Sequence, residues 1–306
     1  MQDFTLKVGV VGAGAVGPVL GAAFLQAGHH LVGIAARSEA SRERVEAMLP
    51  QTPVLGIEEL LSQSDLVLFC VRDGELRALV EDCALAGWFR AGQLVGHTAG
   101  SLGLAVLEPA TALGAIPLAL HPAQTFSGTS LDLARLRGVH WAVSAPVPLL
   151  AVAQALVLDL EGVPHVLSDV ARGHYHAALA HGANHLVTVV TQAMRTLSAA
   201  GVNQAAEFLE PLLKTALERA LQEGEKGLSG PILRADTHTI RRHLAALDRG
   251  ALVAEPDTEP GKPLDDLADI PETYRACARA TAKRAYARQA LSDEQYLELL
   301  DSLDSR

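Results

Sequence analysis

A glycine-rich turn near the start of the chain constrains the fold more than any other feature of the sequence. The turn reads Gly12-Ala-Gly14-Ala-Val-Gly17, and it joins a strand-length apolar run, Leu6–Val11, to a helix-length apolar run, Val16–Ala27. In a turn of this spacing the first glycine permits a tight bend, the second permits close approach of a pyrophosphate, and the third lets the helix pack on the strand. The sequence therefore predicts a βα unit whose helix N-terminus binds a dinucleotide. The residues expected to contact it are Gly12, Ala13, Gly14, Ala15, Val16 and Gly17.

The end of the second predicted strand, Leu31–Ala36, distinguishes NAD from NADP. An acidic residue at this point binds the ribose 2′-hydroxyl of NAD. This chain instead has Arg37 and Ser38, followed by Ser41 and Arg42. A cation with hydroxyls suits a 2′-phosphate, although the same residues would also make an ordinary basic helix start. We therefore predict NADP as the cofactor in preference to NAD, with Arg37, Ser38 and Arg42 among its contacts.

The apolar runs of the first half predict a doubly wound α/β domain. Strand-length runs alternate with helix-length segments, and several runs are apolar throughout, which is typical of strands buried on both faces of a parallel sheet. A right-handed crossover is expected at each step. The predicted strands are Lys7–Val11, Leu31–Ala36, Leu66–Val71, Leu94–His97, Ile116–His121, His140–Ser144 and His165–Leu167. The predicted helices are Val16–Ala27, Glu39–Met48, Glu58–Ser62, Gly74–Ala86 and Val147–Leu160.

After residue 168 the strand signals stop and the pattern indicates helices. Between the third and fourth of them, Glu255–Asp269 is rich in Pro, Asp and Gly and is predicted to be a loop. We expect a Rossmann-like domain over residues 1–168 and an all-helical domain over residues 169–306. The helices predicted in the second domain are Asp169–Ala200, Gln204–Glu223, Thr237–Arg249, Pro271–Gln289 and Asp293–Leu303.

Composition and charge narrow the class of protein. A chain of 306 residues with 49% hydrophobic residues is long enough for two domains with filled cores. No apolar run reaches the length of a membrane span and no signal peptide is recognisable, so we expect no membrane contact. The net charge of −10 argues against a nucleic-acid surface. Three cysteines without disulfide spacing predict a cytoplasmic location, and the spacing of the histidines and cysteines predicts no metal site.

Polar or small residues follow the predicted third and fourth strands, at the edge where open α/β sheets bind ligands. Val71 ends the third strand, and Thr98, Gly100 and Ser101 follow the fourth. We expect Val71, Thr98 and Gly100 to contact the cofactor. Thr98 and Ser101 would line its nicotinamide end, and Ser101 is placed among the catalytic residues. The alternative is a polar loop with a glycine turn.

His121 follows the fifth predicted strand, in the sequence His121-Pro122-Ala-Gln124. A reductase needs a proton donor or an oxyanion stabiliser beside the carbon that it reduces, and histidine exchanges protons near neutral pH. His121 is therefore predicted to assist proton transfer, with Gln124 as a second possibility. The alternative is a histidine that binds local backbone beside a proline turn.

The predicted helix Asp169–Ala200 has one arc of neutral polar residues opposite an apolar arc. A solvent face would carry more charge, so a cleft or a subunit interface is expected. Asn184 is predicted to bind substrate because its amide both donates and accepts hydrogen bonds. Arg234, before the helix at residue 237, is predicted to hold a substrate carboxylate, with a structural ion pair as the alternative. The polar arc consists of His174, His181, Asn184, His185, Thr188, Gln192 and Arg195.

Motifs from both halves together resemble a bacterial protein family. The family joins a Rossmann-like NAD(P)-binding domain to a C-terminal domain of unknown function 2520, and its architecture is similar to the 6-phosphogluconate dehydrogenase superfamily, which includes ketopantoate reductase and pyrroline-5-carboxylate reductase. The resemblance implies an NADP-linked oxidoreductase with its active site between domains and a homodimer built through the helical half. The motifs are Gly12-x-Gly14-x-x-Gly17, His121-Pro122, Ala183-Asn184 and Gly230-Pro-x-x-Arg234-x-Asp236-x-x-Thr239-x-x-x-His243.

The chain departs from the related enzymes at one position. β-Hydroxyacid dehydrogenases and ketopantoate reductase have a catalytic Lys one turn before the Asn of the long helix, where this chain has Ala180 beside His181. Either His121, His181 or a water then handles the proton, or the chemistry differs. Imine reductases of the pyrroline-5-carboxylate type need no such Lys, because their iminium substrate arrives protonated.

The predicted function is therefore NADP-dependent reduction of a small carbonyl or imine substrate. The residues predicted to carry it are His121, Ser101, Asn184 and Arg234. The missing Lys leaves an alternative, an NADP-responsive sensor or regulatory protein without turnover on a reductase fold. Reduction of a deazaflavin instead of an organic acid is a third possibility.

Overall fold

The chain forms two compact units, Met1–Ala183 and Asn184–Arg306. The computed structural model describes residues 5–250 and 267–304. The helical segment that begins at Asp169 therefore starts within the first unit, which also contains the sheet. Within these described residues, none of the helices combines the length and the apolar character that crossing a bilayer requires.

The first unit is built on a seven-stranded sheet with the order β2-β1-β3-β4-β5-β6-β7. Strands β1 to β5 run parallel, β6 runs antiparallel to β5, and β7 runs parallel to β6. The predicted α/β fold is confirmed, but the crossover expected at every step is wrong between β5 and β6. The chain re-enters the sheet at the same end at which β5 leaves it, so β5 and β6 are antiparallel neighbours. The strands are β1 (Lys7–Val11), β2 (His30–Ala35), β3 (Leu66–Phe69), β4 (Leu94–His97), β5 (Ile116–Pro122), β6 (His140–Ser144) and β7 (Val163–Val166).

The helices predicted around the sheet are confirmed close to their expected bounds. The last of them, predicted from Val147, begins as the 3-10 turn Val147–Leu149. Two further helices, α5 and α6, were not predicted, because each is too short to show a helical period. The helices of this unit are α1 (Gly17–Gln26), α2 (Glu39–Met48), α3 (Ile57–Gln63), α4 (Asp73–Leu85), α5 (Glu108–Thr111), α6 (Leu131–Arg135), α7 (Leu150–Asp159) and α8 (Arg172–Leu179).

Apolar side chains on the two faces of the sheet fill two separate cores. Along β3, Leu66 and Leu68 join one core, whereas Val67 and Phe69 join the other, as the alternation of side chains along a strand requires. The first core also takes residues from α1, α2 and α7, and the second takes residues from α3, α4 and α5. Helices therefore cover both faces of the sheet, and its strand ends are left to form a binding edge.

The described part of the second unit is helical, as predicted. Its core lies between α11, α12 and α13, where Ile240, Ala282 and Leu299 are fully buried. The loop predicted at Glu255–Asp269 lies largely outside the described residues, which resume at residue 267. The helices are α9 (His185–Ala199), α10 (Ala205–Glu223), α11 (Thr237–Gly250), α12 (Ile270–Ala287) and α13 (Asp293–Asp304).

The single helix predicted over residues 169–200 is interrupted in the structure. A 3-10 turn, Asp169–Ala171, precedes α8, and a π turn, Ala180–Asn184, separates α8 from α9. A π turn adds a residue to the helical repeat, so a 3.6-residue periodicity does not continue through it. The continuous polar arc predicted over residues 174–195 is therefore wrong.

Candidate active site

The glycines of the turn after β1 have distinct steric roles. Gly12 has a φ of +106°, and a Cβ there would lie 2.5 Å from the carbonyl oxygen of Cys70. A Cβ on Gly17 would collide with the carbonyl oxygen of Gly12, so only glycine lets α1 begin this close to the turn. A Cβ on Gly14 would have no atom within 4 Å. The backbone of Gly14 is therefore the part of the turn that is open to a ligand.

A cleft of about 790 Å³ opens beside this turn, at the carboxyl ends of β1, β2 and β3. Its volume lies in the range of small-molecule and cofactor sites. The structure thus brings together several of the predicted cofactor contacts from three separate loops. Those lining the cleft are Gly12, Ala13, Gly14, Arg37, Ser38 and Val71.

The other residues predicted to bind the cofactor lie outside the cleft lining. Val16 packs against the core beside α1. Arg42 pairs instead with Glu39 of the same helix, at 3.5 Å between Nη1 and Oε2. The residues outside the lining are Ala15, Val16, Gly17, Arg42, Thr98 and Gly100.

One wall of the cleft consists of residues that the sequence did not single out. Glu75, in the first turn of α4, accepts a hydrogen bond from Nη2 of Arg37 at 2.7 Å. Arg72 precedes α4 and lines the cleft as well. The Cys70 thiol lies there too, and burial raises its pKa to about 12, so it stays protonated. The remaining members of this set are Leu55, Gly56, Ile57, Gly74, Ala78, Leu79 and Asp82.

Contacts with segments distant in the sequence support the glycine-rich turn. Arg44 of α2 donates a hydrogen bond from Nη1 to the carbonyl oxygen of Ala13 at 2.7 Å. Gly128 has a φ of +76°, and a Cβ there would lie 3.2 Å from Cα of Ala15. The buried carboxylate of Asp132 accepts a hydrogen bond from the backbone N–H of Gly128 at 2.8 Å. These contacts support the turn from α2 and from the loop that contains Gly128.

A second cluster lies at the ends of β4 and β5. Nδ1 of His121 lies 2.8 Å from the hydroxyl oxygen of Tyr175, and the His176 ring stands edge-on to His121 at 6.0 Å between centroids. A Cβ on Gly100 would lie 2.8 Å from Nε2 of His121 and 2.5 Å from Cδ2 of His176. The structure therefore brings His121 and Gly100 together with Tyr175 and His176, which sequence reasoning missed.

Burial and neighbouring charge set the protonation state of this cluster. Burial lowers the pKa of His121 to about 4, and the electrostatic effects of the neighbouring His176 and Arg172 side chains act in the same direction. Burial also raises the pKa of Tyr175. His121 is thus a neutral imidazole at pH 7. In this pair the Tyr175 hydroxyl carries a proton that it can donate.

Arg172 ties α8 to the strands beneath this cluster. Its side chain is fully buried and donates from Nη2 to the carbonyl oxygen of Ala119 at 2.9 Å. Nε donates to the hydroxyl of Ser144 at 3.0 Å, and Nη1 donates to the carbonyl oxygen of Ala99 at 3.4 Å. Burial lowers the pKa of Arg172, but guanidinium groups remain charged in proteins. Arg172 therefore puts a fixed positive charge close to His121.

The loop after β4 contacts both the cleft and the cluster around His121. Ser101 donates from Oγ to Oδ2 of Asp73 at 2.6 Å, and Asp73 is next to the cleft residue Gly74. The N–H of Thr98 donates to the carbonyl oxygen of Phe69 at 3.1 Å. His97 is fully buried, and its ring bonds the N–H of Ala99 and the carbonyl oxygen of Gly103, each at 3.1 Å. The loop is therefore held in place from both ends.

Two predicted substrate ligands belong to the second unit. Asn184 ends the π turn with an exposed side chain, and Arg234 is exposed just before α11. Asp236 caps α11, because its Oδ1 accepts the N–H of Thr239 at 3.0 Å. Gln192, from the predicted polar arc, is buried and donates to Oδ2 of Asp269 at 2.7 Å. Gln192 thus has a structural role.

Solved structures of similar fold cover nearly the whole chain. A candidate NADP oxidoreductase from Bacteroides fragilis has a TM-score of 0.72 at 19% identity, over 90% of this chain and 98% of that one. An imine reductase from Myxococcus stipitatus, solved with NADP⁺, has a TM-score of 0.64 at 17% identity, over 98% and 100%. A reductive aminase from Aspergillus terreus, solved with NADPH and ethyl levulinate, has a TM-score of 0.61 at 19% identity, over 97% and 99%. At these identities the likeness establishes the fold.

Two domain families match the sequence itself. Residues 1–122 match the Rossmann-like domain, and residues 139–281 match a domain of unknown function, DUF2520. No curated protein matches the sequence. The two matches confirm the resemblance drawn from the motifs, since they follow one another in the same order. The chain therefore combines a Rossmann-like domain with a DUF2520 domain.

Proposed function

We propose that this protein is an NADP-dependent oxidoreductase that reduces a small carbonyl or imine substrate. The observation that carries the proposal is the cleft at the ends of β1 to β3, where the open Gly14 backbone and the Arg37–Ser38 pair line one cavity. The imine reductase and the reductive aminase of the same fold were solved with NADP⁺ and NADPH. Their fold supports this class of reaction.

The residues of the cleft fit an NADP molecule. The N–H groups of the glycine turn and the N-terminus of α1 would hold the pyrophosphate. Arg37 and Ser38 would hold the 2′-phosphate, because a guanidinium and a hydroxyl both donate hydrogen bonds to phosphate oxygens. The loop Thr98–Ser101 would lie at the nicotinamide end. When bound, the cofactor supplies a hydride to the substrate carbon.

The proton for a carbonyl substrate would come from the Tyr175–His121 pair. A carbonyl oxygen needs a proton as hydride reaches the carbon. The Tyr175 hydroxyl carries one at neutral pH, and His121 positions it through their 2.8 Å hydrogen bond. An iminium substrate would need only the hydride. Asn184 and Arg234 are proposed to orient the substrate, as the sequence predicted.

Binding and turnover test the proposal separately. We expect the purified protein to bind NADPH more tightly than NADH in a calorimetric titration. A panel of 2-oxo acids and cyclic imines, followed by the loss of NADPH absorbance, should contain at least one compound that is reduced. Absence of NADPH binding would contradict the proposal. NADPH binding without turnover across the panel would favour the sensor alternative.

The assignment of NADP to Arg37 has its own test. Arg37→Ala should weaken NADPH binding by about tenfold, since one charge-assisted contact is lost, and should change NADH binding much less. Arg77→Ala, on an exposed arginine of α4 outside the cleft, is the matched control. An equal loss for both cofactors in Arg37→Ala would contradict the 2′-phosphate assignment.

We also propose that the protein is a homodimer built through its second unit. On α9, Leu186 is 43% exposed and Val187 is 63% exposed. On α10, Phe208 is 64% and Leu212 is 65% exposed. Large apolar side chains grouped on neighbouring helices are typical of an interface. A second copy of this chain is the partner that the family resemblance implies.

A further inference from the structure

An ion pair joins two walls of the cleft beside the end of β2. Nη2 of Arg37 lies 2.7 Å from Oε2 of Glu75, and both residues line the cleft. Arg37 comes from the loop after β2, whereas Glu75 comes from the first turn of α4. The Arg37 side chain is 86% exposed and that of Glu75 is 44% exposed, so either side chain can exchange its partner for a ligand.

The pair puts the Glu75 carboxylate beside Arg37, the cation that follows β2. A phosphate bound to Arg37 would lie beside the Glu75 carboxylate, and the two anions would repel each other. A phosphate monoester carries up to two negative charges at neutral pH, so this repulsion exceeds that between single charges. Arg72 also lines the cleft, and among residues 5–250 and 267–304 it has no ion-pair partner. Two acidic residues, Glu75 and Asp82, line the cleft, and Glu75 is the one paired with Arg37.

We propose that Glu75 determines cofactor specificity by competing with the 2′-phosphate for Arg37. This inference rests on the proposed function, that the cleft binds NADP. In the free protein Glu75 neutralises Arg37. On binding, Arg37 exchanges the carboxylate for the phosphate, and the nearby carboxylate weakens the complex. A dinucleotide without the 2′-phosphate leaves the pair intact, so its affinity does not depend on Glu75.

The direct test compares Glu75→Gln with the wild-type protein. Glutamine keeps the size of the side chain and removes its charge. We expect NADPH to bind roughly threefold to tenfold more tightly, in line with the strength of exposed ion pairs and like-charge repulsion. NADH affinity should change by less than about twofold, and the gain for NADPH should shrink at high salt, where charges are screened. Calorimetric titration of both proteins with NADPH and with NADH measures the four dissociation constants.

The matched control is Glu81→Gln. Glu81 lies on the same helix, its side chain is also 44% exposed, and it pairs with Arg77 at 2.7 Å, but it does not line the cleft. This variant should bind NADPH and NADH like the wild-type protein. A gain equal to that of Glu75→Gln would overturn the inference, because any loss of negative charge on α4 would then suffice.

A double variant tests whether Glu75 acts on NADPH binding through Arg37. If Glu75 acts by occupying Arg37, Glu75→Gln should have little effect on NADPH affinity in an Arg37→Ala background. A full gain in that background would overturn the competition. Thermal unfolding of each variant would check that the fold is retained.

The remaining outcomes separate this inference from the proposed function. If the wild-type protein binds NADPH but Glu75→Gln leaves its affinity unchanged or lower, the inference is wrong and the proposed function stands. If Glu75→Gln weakens NADH instead, Glu75 binds the ribose 2′-hydroxyl and the competition is again wrong. If the wild-type protein binds neither cofactor, the proposed function fails and the inference fails with it.

Discussion

In the turn after β1, two of the three glycines are required by the fold, and the third is required by the ligand. Gly12 and Gly17 are required by the protein's own backbone, because a Cβ on Gly12 would collide with the carbonyl oxygen of Cys70 and a Cβ on Gly17 with that of Gly12. Gly14 meets no such obstacle. A glycine that the fold does not need is explained by a ligand whose phosphates approach the backbone closely.

We predict opposite consequences for two alanine substitutions in this turn. Gly17→Ala should lower the free energy of unfolding by about 1–3 kcal/mol, because the new Cβ overlaps the Gly12 carbonyl. Gly14→Ala should leave stability unchanged and weaken NADPH binding. Thermal unfolding and calorimetric titration of both variants measure the two effects. Equal destabilisation by the two substitutions would contradict this interpretation.

His97 makes stability depend on pH. Burial lowers the pKa of His97 to about 4, against an ordinary value of 6.5. Between these values the unfolded chain binds a proton that the folded protein does not, so stability falls as the pH falls. The contribution is complete above pH 6.5, and about 3 kcal/mol of it should be lost by pH 4.

Urea unfolding at pH 7 and at pH 4.5 measures this loss. The His97→Gln variant should show a shallower dependence, since glutamine does not titrate. An NMR titration should find the His97 ring neutral throughout the range above pH 5. A variant with the same pH dependence as the wild-type protein would exclude His97 as the source.

At the scale of elements, α8 belongs to the site because one side chain fastens it to the sheet. Arg172 donates to carbonyl groups from β5 and from the loop after β4. A buried guanidinium is stable only where such acceptors surround it. The same helix supplies Tyr175 and His176, so Arg172 positions the partners of His121.

Arg172→Gln should remove several of these hydrogen bonds and lower the free energy of unfolding by about 2–4 kcal/mol. Burial will continue to lower the pKa of His121, but loss of the Arg172 cation should let that pKa rise. Unfolding measurements and an NMR titration of His121 test both expectations. Arg77→Gln, on the surface of α4, is the control and should change neither quantity.

For the whole molecule, the exposed apolar residues of α9 and α10 are the basis of the proposed dimer. Isolated exposed apolar residues are common on proteins, but grouped ones are not. The buried member of α9 is the polar Gln192, while Leu186 and Val187 face outwards. The helix therefore turns its apolar side away from the described core of its own unit.

Val187→Glu and Leu212→Glu should convert the proposed dimer to a monomer, because each would bury a charge in the interface. Size-exclusion chromatography with light scattering measures the mass. Leu85→Glu, at an 88% exposed leucine of α4 in the first unit, should leave the mass unchanged. A monomeric wild-type protein would contradict the dimer.

Strands and most helices followed from the sequence because their signals are local. The pattern of the sequence located α2 to the residue, Glu39–Met48, and placed the ends of all seven strands within about two residues of their observed positions. The direction of β6 was missed because both orientations bury the same apolar run. The π turn at Ala180–Asn184 was missed because an inserted residue leaves no mark in a segment whose side chains are largely exposed.

By itself, the sequence determined the dinucleotide-binding turn, the doubly wound unit and the helical second half. These depend on residues a few positions apart, whose spacing can be read directly. Only the tertiary structure decided the charge balance of the cleft and the partner of His121. Arg37 and Glu75 are 38 positions apart, and His121 and Tyr175 are 54 positions apart. Such pairs are set by how strands and helices pack, and no local pattern specifies them.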